Sequence, residues 1–590
     1  MANLPQPSGD ERVLIRFLDQ VDGEVKAYRA SNRLEQRWET WRKFRDGEAW
    51  SSAGEPIFMA NLVGNFIERK IAALTQAQPD IRVSSRNPLY QLTATILTKT
   101  IQAVLAEQSF DARIESASDF AATYGYVGMQ TVWDPAADYG QGNIILEPLD
   151  PRRFAIDHRV KDVTDLQKAQ YIRIDTPMPL THVRQMWPGR GGLVKPDPTI
   201  TNLNTPGRNT GATWWGSPTK RPIWQAGSTA GPYEWTTISE YWCASDQRDV
   251  QGDPEFPAGR RIVRGTGNVV LSDDPNPYWD GLWPLDIWDW RVNHDSVMGR
   301  SDVSEVAKLQ ETINRIGNAI TENIILSAAI TVIADYNALK PEDWKKLDNR
   351  AARILKKFPG REVTFVPPPP IPGQYLQFVS MLTGLMETLL GVPPSMQGKR
   401  QEGVIASSAV EGLMIAAETL IRATARRLEY VIERIGFKMI SRVIQFYTSD
   451  RVMLLTGPGQ EWQEYTFRRS EMLKPLMDGQ DPATGEPLSE AEREEKLREF
   501  FTNFRFKVTP LSSMPQNRIQ RGLMALQLFQ AGLVDQEEVL KFVEWPDWEN
   551  VMKRVQQKQA TGQLAMPGMG GEGGKPPDAN RDGSKLKLGG

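Results

Sequence analysis

"SAVEGLMIAAETLIRATARRLEYVIERIGFKMISRVIQFY", Ser408–Tyr447, reads as one uninterrupted helix. Ser408 and Glu411 hold the spacing of a capping box, in which serine and glutamate each satisfy a backbone amide of the first turn. From there Val410, Leu413, Ala417, Leu420, Ile421, Leu428, Val431, Ile435, Met439 and Val443 persist at mostly helical spacing, the mark of a helix buried along one face. At about 1.5 Å per residue the rod is on the order of 60 Å long. Such a length suits an assembly it can run through better than a small globule. The stretch before it, "LLGVPPSMQGKRQEGVIASSA" (Leu389–Ala409), is different: prolines break a preceding helix, and Gln397, Lys399, Arg400, Gln401 and Glu402 follow in a glycine-containing context. It reads as a short charged loop between two apolar helices.

Two more helices belong to the same block. Val306, Leu309, Ile313, Ile316, Ile320 and Ile324 form a seam of three- and four-residue steps, with polar Gln310, Glu311, Asn314, Arg315 and Asn318 elsewhere. Leu376, Val379, Leu382, Met386 and Leu389 do the same from Gln374 to Leu390. Between them lies a strand, helix, strand unit: "AAITVIAD", "KPEDWKKLDNRAARILKK" with Pro341 suited to a first helical turn, and "REVTFVPPPP".

Upstream, residues from about Asp10 to Trp50 read as polar helices with Val13, Phe17, Val21 and Val25 at helical spacing. Leu62, Phe66, Ile67, Ile71 and Leu74 mark another helix, ended by Pro79 before the strand "DIRV". Two further helices span about 90–108 and 111–124. From "YGYVGMQTVWDP" to about Arg291, short alternating runs divided by Gly, Pro and Asp predict a mainly β region. Half of the 18 tryptophans lie between Trp214 and Trp290; they read as filling for a thin sheet core, with a sugar-stacking platform as the rival. Downstream, "RVMLLTG", "YTFRRS" and "NFRFKVTP" read as strands, Ser489 and Glu492 cap a helix, and "QNRIQRGLMALQLFQAGLVDQEEVLKFVEWPDWENVMKRVQQ" holds three short helices joined at Gly532 and Pro546. The fold class is α+β.

At 590 residues the chain is long enough for several cores. With 70 Lys and Arg against 73 Asp and Glu, a protein that works by gripping phosphates is not expected, although DNA could pass without sticking. The single Cys243 excludes intrachain disulfides and thiolate metal clusters and fits a reducing cytoplasm. Met1–Arg12 has no apolar core of a signal peptide, and the most apolar run, Ile324–Ala334, falls short of the roughly 20 residues of a membrane span. The last stretch, "GMGGEGGKPPDANRDGSKLKLGG", is expected to be disordered.

The reacting groups of an enzyme do not stand out. Gly391 with Gly398 and Lys399 echoes a phosphate-binding loop, but the spacer is six residues rather than four, Arg400 replaces the Ser or Thr, and Pro393 and Pro394 remove amide donors. His158, His182 and His294 are isolated and read as structural or surface residues. Asp273 with Asp274, and "SEAEREE", read as turn and solvated helix. No cofactor, metal or catalytic residue is expected.

Taken in order, the segments "NLVGNFIERKIAALTQAQPDIRV", "DFAATYGYVGMQTVWDP", "GNIILEPLDPRRFAIDHRVKD", "GLWPLDIWDW", "GRSDVSEVAKLQETINRIGNAI", "LLGVPPSMQG" and "VTPLSSMPQNRIQRGLMALQLFQAGLVDQEEVLKFVEWPD" resemble the portal proteins of tailed bacteriophages, of the podovirus type. The resemblance implies N-terminal helices and a β-rich wing over 1–300, a first stem helix over 301–327, a clip over 328–373, and a second stem helix over 374–390. It further implies a tunnel loop over 391–407, a long wing helix over 408–448, returning wing strands over 449–513, a helical crown over 514–560 and a disordered tail over 561–590. Val306, Leu309, Ile313, Ile316, Ile320, Leu382 and Met386 would then pack the stem, and Gln397, Lys399, Arg400, Gln401 and Glu402 would face a channel. The implied assembly is a ring, commonly of twelve copies, at one capsid vertex of the virion, made in the host bacterial cytoplasm. Double-stranded DNA would pass through it. Its other implied partners are the terminase large subunit, a head-to-tail adaptor, and the major capsid and scaffolding proteins, without a membrane. Two rivals are a carbohydrate-binding tail or surface protein, which would explain the tryptophans but not the 40-residue helix, and a nucleotide-dependent DNA enzyme, which lacks its phosphate loop.

Overall fold

The computed structural model describes residues 9–48, 58–75, 79, 81–197, 234–244, 256–328, 331–335, 358–366, 373–392, 407–456, 462–474, 490–508, 529–532, 535 and 539. In chain order the elements are α1 (Gly9–Ser31), α2 (Leu34–Asp46), α3 (Leu62–Thr75), β1 (Ile81–Ser85), α4 (Gln91–Glu107), α5 (Phe110–Tyr124), β2 (Tyr126–Asp134), β3 (Asn143–Leu149), β4 (Phe154–Ile156), β5 (Tyr171–Pro179), α6 (Leu180–Met186), β6 (Trp235–Cys243), β7 (Arg260–Gly265), β8 (Val269–Pro275) and β9 (Leu285–Asp289). There follow α7 (Asp302–Ala328), β10 (Thr331–Ala334), β11 (Val363–Val366), α8 (Gly373–Leu390), α9 (Ser407–Phe446), β12 (Arg451–Thr456), β13 (Trp462–Phe467), α10 (Arg469–Met472), α11 (Glu490–Glu499) and β14 (Phe504–Val508). This is the α+β class expected. The helix between β10 and β11, the loop over 391–406 beyond Val392, most of 514–560 and the glycine-rich tail lie outside the described residues.

Two units divide the chain: Met1–Leu455 with Glu464–Pro515, and Thr456–Gln463 with Gln516–Gly590. In the second, the described part of 529–532 ends at Gly532, whose φ of 71° is the left-handed value that stops a helix, where the sequence places a junction.

In the first unit five antiparallel strands run in the order β4-β5-β6-β7-β8, and a separate sheet runs β3-β2-β9. β1 pairs with β14, Ile81 opposite Val508, so two strands more than 400 residues apart in the chain complete one another. α1 lies on the five-stranded sheet through Leu18, Val21 and Val25, which meet Ala155, Tyr171, Tyr241 and Ile262. The expected stripe is thus half right, since Val13 and Phe17 are exposed. Four-residue steps overshoot a turn by about 40° each, so a line of three such steps has rotated off the buried face. The run "LTHVRQM" forms helix α6 inside the region read as β. Asp273 sits not in a turn but in β8, bound across to Arg260 of β7. Trp242, Trp283, Trp288 and Trp290 are buried in cores, which removes four rings from any sugar-stacking platform; Trp214, Trp215 and Trp224 lie outside the described residues.

α9 is the spine of this unit, packing against β14, β9, β2, α4 and α3. Ile421, Leu428, Val431, Ile435, Met439 and Val443 are all buried, as the stripe predicts. Two close approaches set how its surroundings meet. Phe506 of β14 lies flat against Gly436, where an added Cβ would overlap its ring. Gly125, with φ of 91°, meets Gly299 backbone to backbone; a Cβ on either would overlap the other's carbonyl oxygen. This crossing brings the end of α5 onto the segment that launches α7, and Ser301 Oγ donates to Thr123 O at 2.6 Å beside it.

The obstacle at the glycine crossing is backbone, whereas at Gly436 it is the buried Phe506 ring and alanine there regains about 1 kcal/mol of helix propensity. Gly299→Ala is therefore expected to cost about 3 kcal/mol and Gly436→Ala about 1 kcal/mol, the two ends of the range for overpacking. Denaturant midpoints of the two variants measure the order.

Candidate functional site

Four cations on one side of α9 reach toward β9 and the loop before it. Arg427 Nη1 stands 3.1 Å from Asp289 Oδ2, Arg434 Nε 3.0 Å from Asp286 Oδ1, Lys438 Nζ 2.7 Å from Asp286 Oδ2, and Arg442 Nη1 2.9 Å from Asp280 Oδ2. Spacings of seven, four and four residues keep these side chains in one row. Lys438 also donates to Leu285 O at 3.1 Å, and the Arg442 guanidinium lies 3.9 Å from the centre of the Tyr278 ring. Lys438, Arg442, Asp280 and Asp286 are buried. Burial pushes the Lys438 ammonium down to about 8, with Asp286 pulling the other way. Removing one partner of such a pair strands the other without water. The row therefore fixes both the rotation and the axial position of α9 on the sheet.

A second buried charge sits at the root of α7. Asp302, in the first helical turn where a carboxylate is favoured by the helix dipole, pairs with Lys70 of α3 at 2.7 Å and with Arg291 at 2.6 Å. Burial pushes the Lys70 ammonium down while Asp302 opposes. Arg291 Nη2 also donates to Leu389 O at 3.0 Å. One guanidinium thus joins the start of α7 to the end of α8.

Along α7, Gln310 and Asn314 are buried, contrary to their placement off the packed seam. Gln310 Nε2 donates to Ala60 O at 2.6 Å and its Oε1 accepts from Leu62 N at 3.2 Å, while Asn318 Oδ1 accepts from Phe58 N at 2.6 Å. Gln310 and Asn318, two turns apart on α7, thus hold the segment before α3, and Asn314 Oδ1 between them accepts from Gln310 Nε2 at 2.8 Å. Helical periodicity marks them as polar but cannot reveal that an unpaired backbone runs alongside.

Of the residues expected to pack the stem, Val306, Ile313, Leu382 and Met386 are buried. Leu309 and Ile316 are partly covered against the same core, and Ile320 is half-buried. Leu376 and Leu389, read as part of the buried stripe of α8, are exposed, together with Tyr375, Phe378, Met381 and Leu385. α8 is apolar nearly all round and only one side of it is covered. Gln397, Lys399, Arg400, Gln401 and Glu402 lie outside the described residues.

His158 stacks on Tyr28 with ring centres 5.3 Å apart. Among the described residues no group of three His, Cys, Asp or Glu side chains could hold a metal ion, and no helix is long and apolar enough to cross a membrane. An open polar cleft of about 550 Å³ between α1 and the five-stranded sheet is lined by Asp19, Asp22, Arg173, Ser239 and Arg264. Asp22 takes both arginines and the Tyr241 hydroxyl, an arrangement that ties α1 down and presents no reacting group.

The family model for the phage P22-like portal protein matches residues 19–570. No curated protein matches the chain. A chain from the neck of an empty GTA particle, computed with C6 symmetry, is similar at 11% identity, with 82% of this chain and 90% of that chain covered and a TM-score of 0.38.

Two outcomes test the charge rows. Asp302→Ala leaves Lys70 and Arg291 without their shared carboxylate and is expected to cost about 3–5 kcal/mol, read from denaturant unfolding. Lys438 titrates near 8 when folded against an ordinary 10.5, so between these values the unfolded chain holds the extra proton and stability rises with pH. Its contribution is least favourable below pH 8 and recovers as pH rises. Above pH 10, Tyr124, Tyr126, Tyr171, Tyr241 and Tyr447, which burial holds protonated, act in the opposite sense. Unfolding midpoints at pH 7 to 10 should show wild type gaining on Lys438→Met; parallel curves would contradict this.

Proposed function

The chain belongs to the phage P22-like portal protein family, and from that premise we propose that copies of it form a dodecameric ring at one capsid vertex, through which double-stranded DNA is packaged and later ejected. What carries the reading is that a single family model runs with the chain from residue 19 to 570. On it, 1–300 with the strands over 449–513 form the wing, α7 and α8 are the stem helices, β10 and β11 belong to the clip, 391–407 is the tunnel loop, and 514–560 is the crown.

The uncovered face of α8 supports a ring. Tyr375, Phe378, Met381, Leu385 and Leu389 recur at three- and four-residue steps and stand in water. Burying a large apolar side chain stabilises by about 1.5–3 kcal/mol; a neighbouring copy is the natural cover. The two-stranded β10–β11 pair has edges that neighbouring copies or a docked partner could extend. The chain's work is that of a conduit rather than a catalyst. A polyanion must slide, so many simultaneous phosphate contacts would hold it back, and a net charge of −3 suits that need. Lys399 and Arg400 touch the duplex transiently and Glu402 tempers them. The energy comes from a terminase motor whose large subunit docks on the clip and is later replaced by the head-to-tail adaptor, while capsid and scaffolding proteins surround the ring.

Met381→Glu with Leu385→Glu places carboxylates in the copy-to-copy contact and is expected to yield folded monomers, read as mass by light scattering. Lys399→Ala with Arg400→Ala should leave rings intact and change the length of packaged DNA or its retention. Wild-type values in both DNA assays would remove the tunnel-loop assignment.

A further inference from the structure

β1 and β14 form a two-stranded sheet whose two faces differ. Ile81, Val83, Phe504, Phe506 and Val508 are buried, in the core they share with α4 and α9. Both edges have partners. Beside β1, Thr98 Oγ1 accepts from Val83 N at 3.0 Å and Gln102 Nε2 donates to Ile81 O at 3.2 Å; beside β14, Glu433 Oε1 accepts from Val508 N at 3.5 Å. The outer face stands in water, and alternation along the strands puts the exposed Arg82, Ser84, Arg505 and Lys507 on it. Arg86 N donates to Asn503 O at 2.8 Å, which carries the ladder one step further and adds the exposed Arg86 to the same face.

Opposite charges that face one another across a ladder stabilise it by about 0.2–1 kcal/mol, and like charges do the reverse. Here Lys507 lies opposite Arg82. The chain does not lack acids: its net charge is −3, and α11, just before β14, reads EAEREEKLRE. Yet among the described residues no carboxylate pairs with Arg86, Arg505 or Lys507. The face therefore keeps a positive charge that the subunit does not compensate. It also offers no apolar side chain of the kind that fills the centre of a protein–protein contact. Its length, about 13 Å from Arg82 to Arg86, matches a stretch of duplex that carries about eight phosphates.

The sheet's place on α9 sets it apart from the channel. Val508 meets α9 at Glu433, 26 residues beyond Ser407 and so about 40 Å along the rod. On the portal reading, on which this step rests, Ser407 adjoins the tunnel loop and the rod runs away from it into the wing. A duplex that reaches the sheet is then outside the channel.

We propose that the outer face of the β1–β14 sheet is a second, sequence-independent DNA surface, where Arg82, Arg86, Arg505 and Lys507 hold phosphates of duplex lying against the ring. Such contacts are few per copy and weaken steeply with salt, and they leave the strand in transit unclamped.

A covalently closed DNA minicircle of arbitrary sequence isolates this surface, because a circle cannot thread a closed ring. Its binding to the purified full-length protein is followed by filter retention from about 50 to 200 mM salt. Arg505→Ala with Lys507→Ala should lower affinity at least about tenfold at the low-salt end and flatten the dependence of log K on log salt by about two. Ring formation and melting temperature should stay as in wild type. Arg505→Lys with Lys507→Arg should bind as wild type, since phosphate contact needs the charge and reads no base. Lys399→Ala with Arg400→Ala should also bind the circle as wild type; loss there would move the contact to the loop and overturn the proposal. Wild-type affinity and slope in Arg505→Ala with Lys507→Ala overturn it and leave the portal reading standing. Loss of rings in that variant overturns it too, assigning the face to an acidic segment of a second copy. Wild-type protein without rings contradicts the portal reading, while its affinity for the circle still decides the face.

Discussion

Asp286 accepts Arg434 and Lys438 from successive turns of one helix and is itself buried. A helix can slide or roll on an apolar surface at modest cost, because dispersion contacts are individually weak and exchangeable. It cannot do so while a carboxylate in the sheet is shared between two of its cations, with Asp280 and Asp289 occupied by Arg442 and Arg427 on either side. Each displaced charge would have to be carried through a medium that does not solvate it. The sheet β3-β2-β9 and the rod α9 therefore behave as one body, and the elements attached to either end inherit their positions from that register.

Two places on this body show what the register is for. At the far end it holds Trp133, Tyr447 and Arg451 beneath the hairpin turn between β2 and β3. Near the root of α7, Arg291 joins Asp302 to the last turn of α8, so α8 leaves the body from a fixed point. α8 itself is covered on one side only. The root of α8 is thus held by Arg291 while its apolar outer face stays in water, which leaves room for a contact that the subunit does not itself make. The portal reading supplies that contact as a second copy.

Much of this was legible from apolar spacing. The buried positions of α9 from Ile421 to Val443, those of α3 from Phe66 to Leu74, and Val306, Ile313, Leu382 and Met386 all follow from one helical period. What escaped has a common cause, in that it depends on a partner distant in sequence. Ile81 pairs with Val508, a relation no local pattern encodes. Gln310 and Asn318 read as surface because they are polar, yet they serve the backbone of 58–62. Arg434, Lys438 and Arg442 look like the solvated side of an amphipathic helix until Asp280 and Asp286 are seen against them. Leu376 and Leu389 differ in the opposite direction: they are apolar and exposed, on the face of α8 that the portal reading gives to a second copy. The charged segment with Lys399 and Arg400 was singled out by composition and lies outside the described residues.

The central claim is that this subunit is completed by copies of itself around an axis left open for a duplex. Electron microscopy of the purified full-length protein examines that claim most directly. The account predicts closed rings of like subunits, seen end-on with a hole on the symmetry axis. A preparation that stays monomeric at high concentration, or whose particles are solid along every axis, would contradict it.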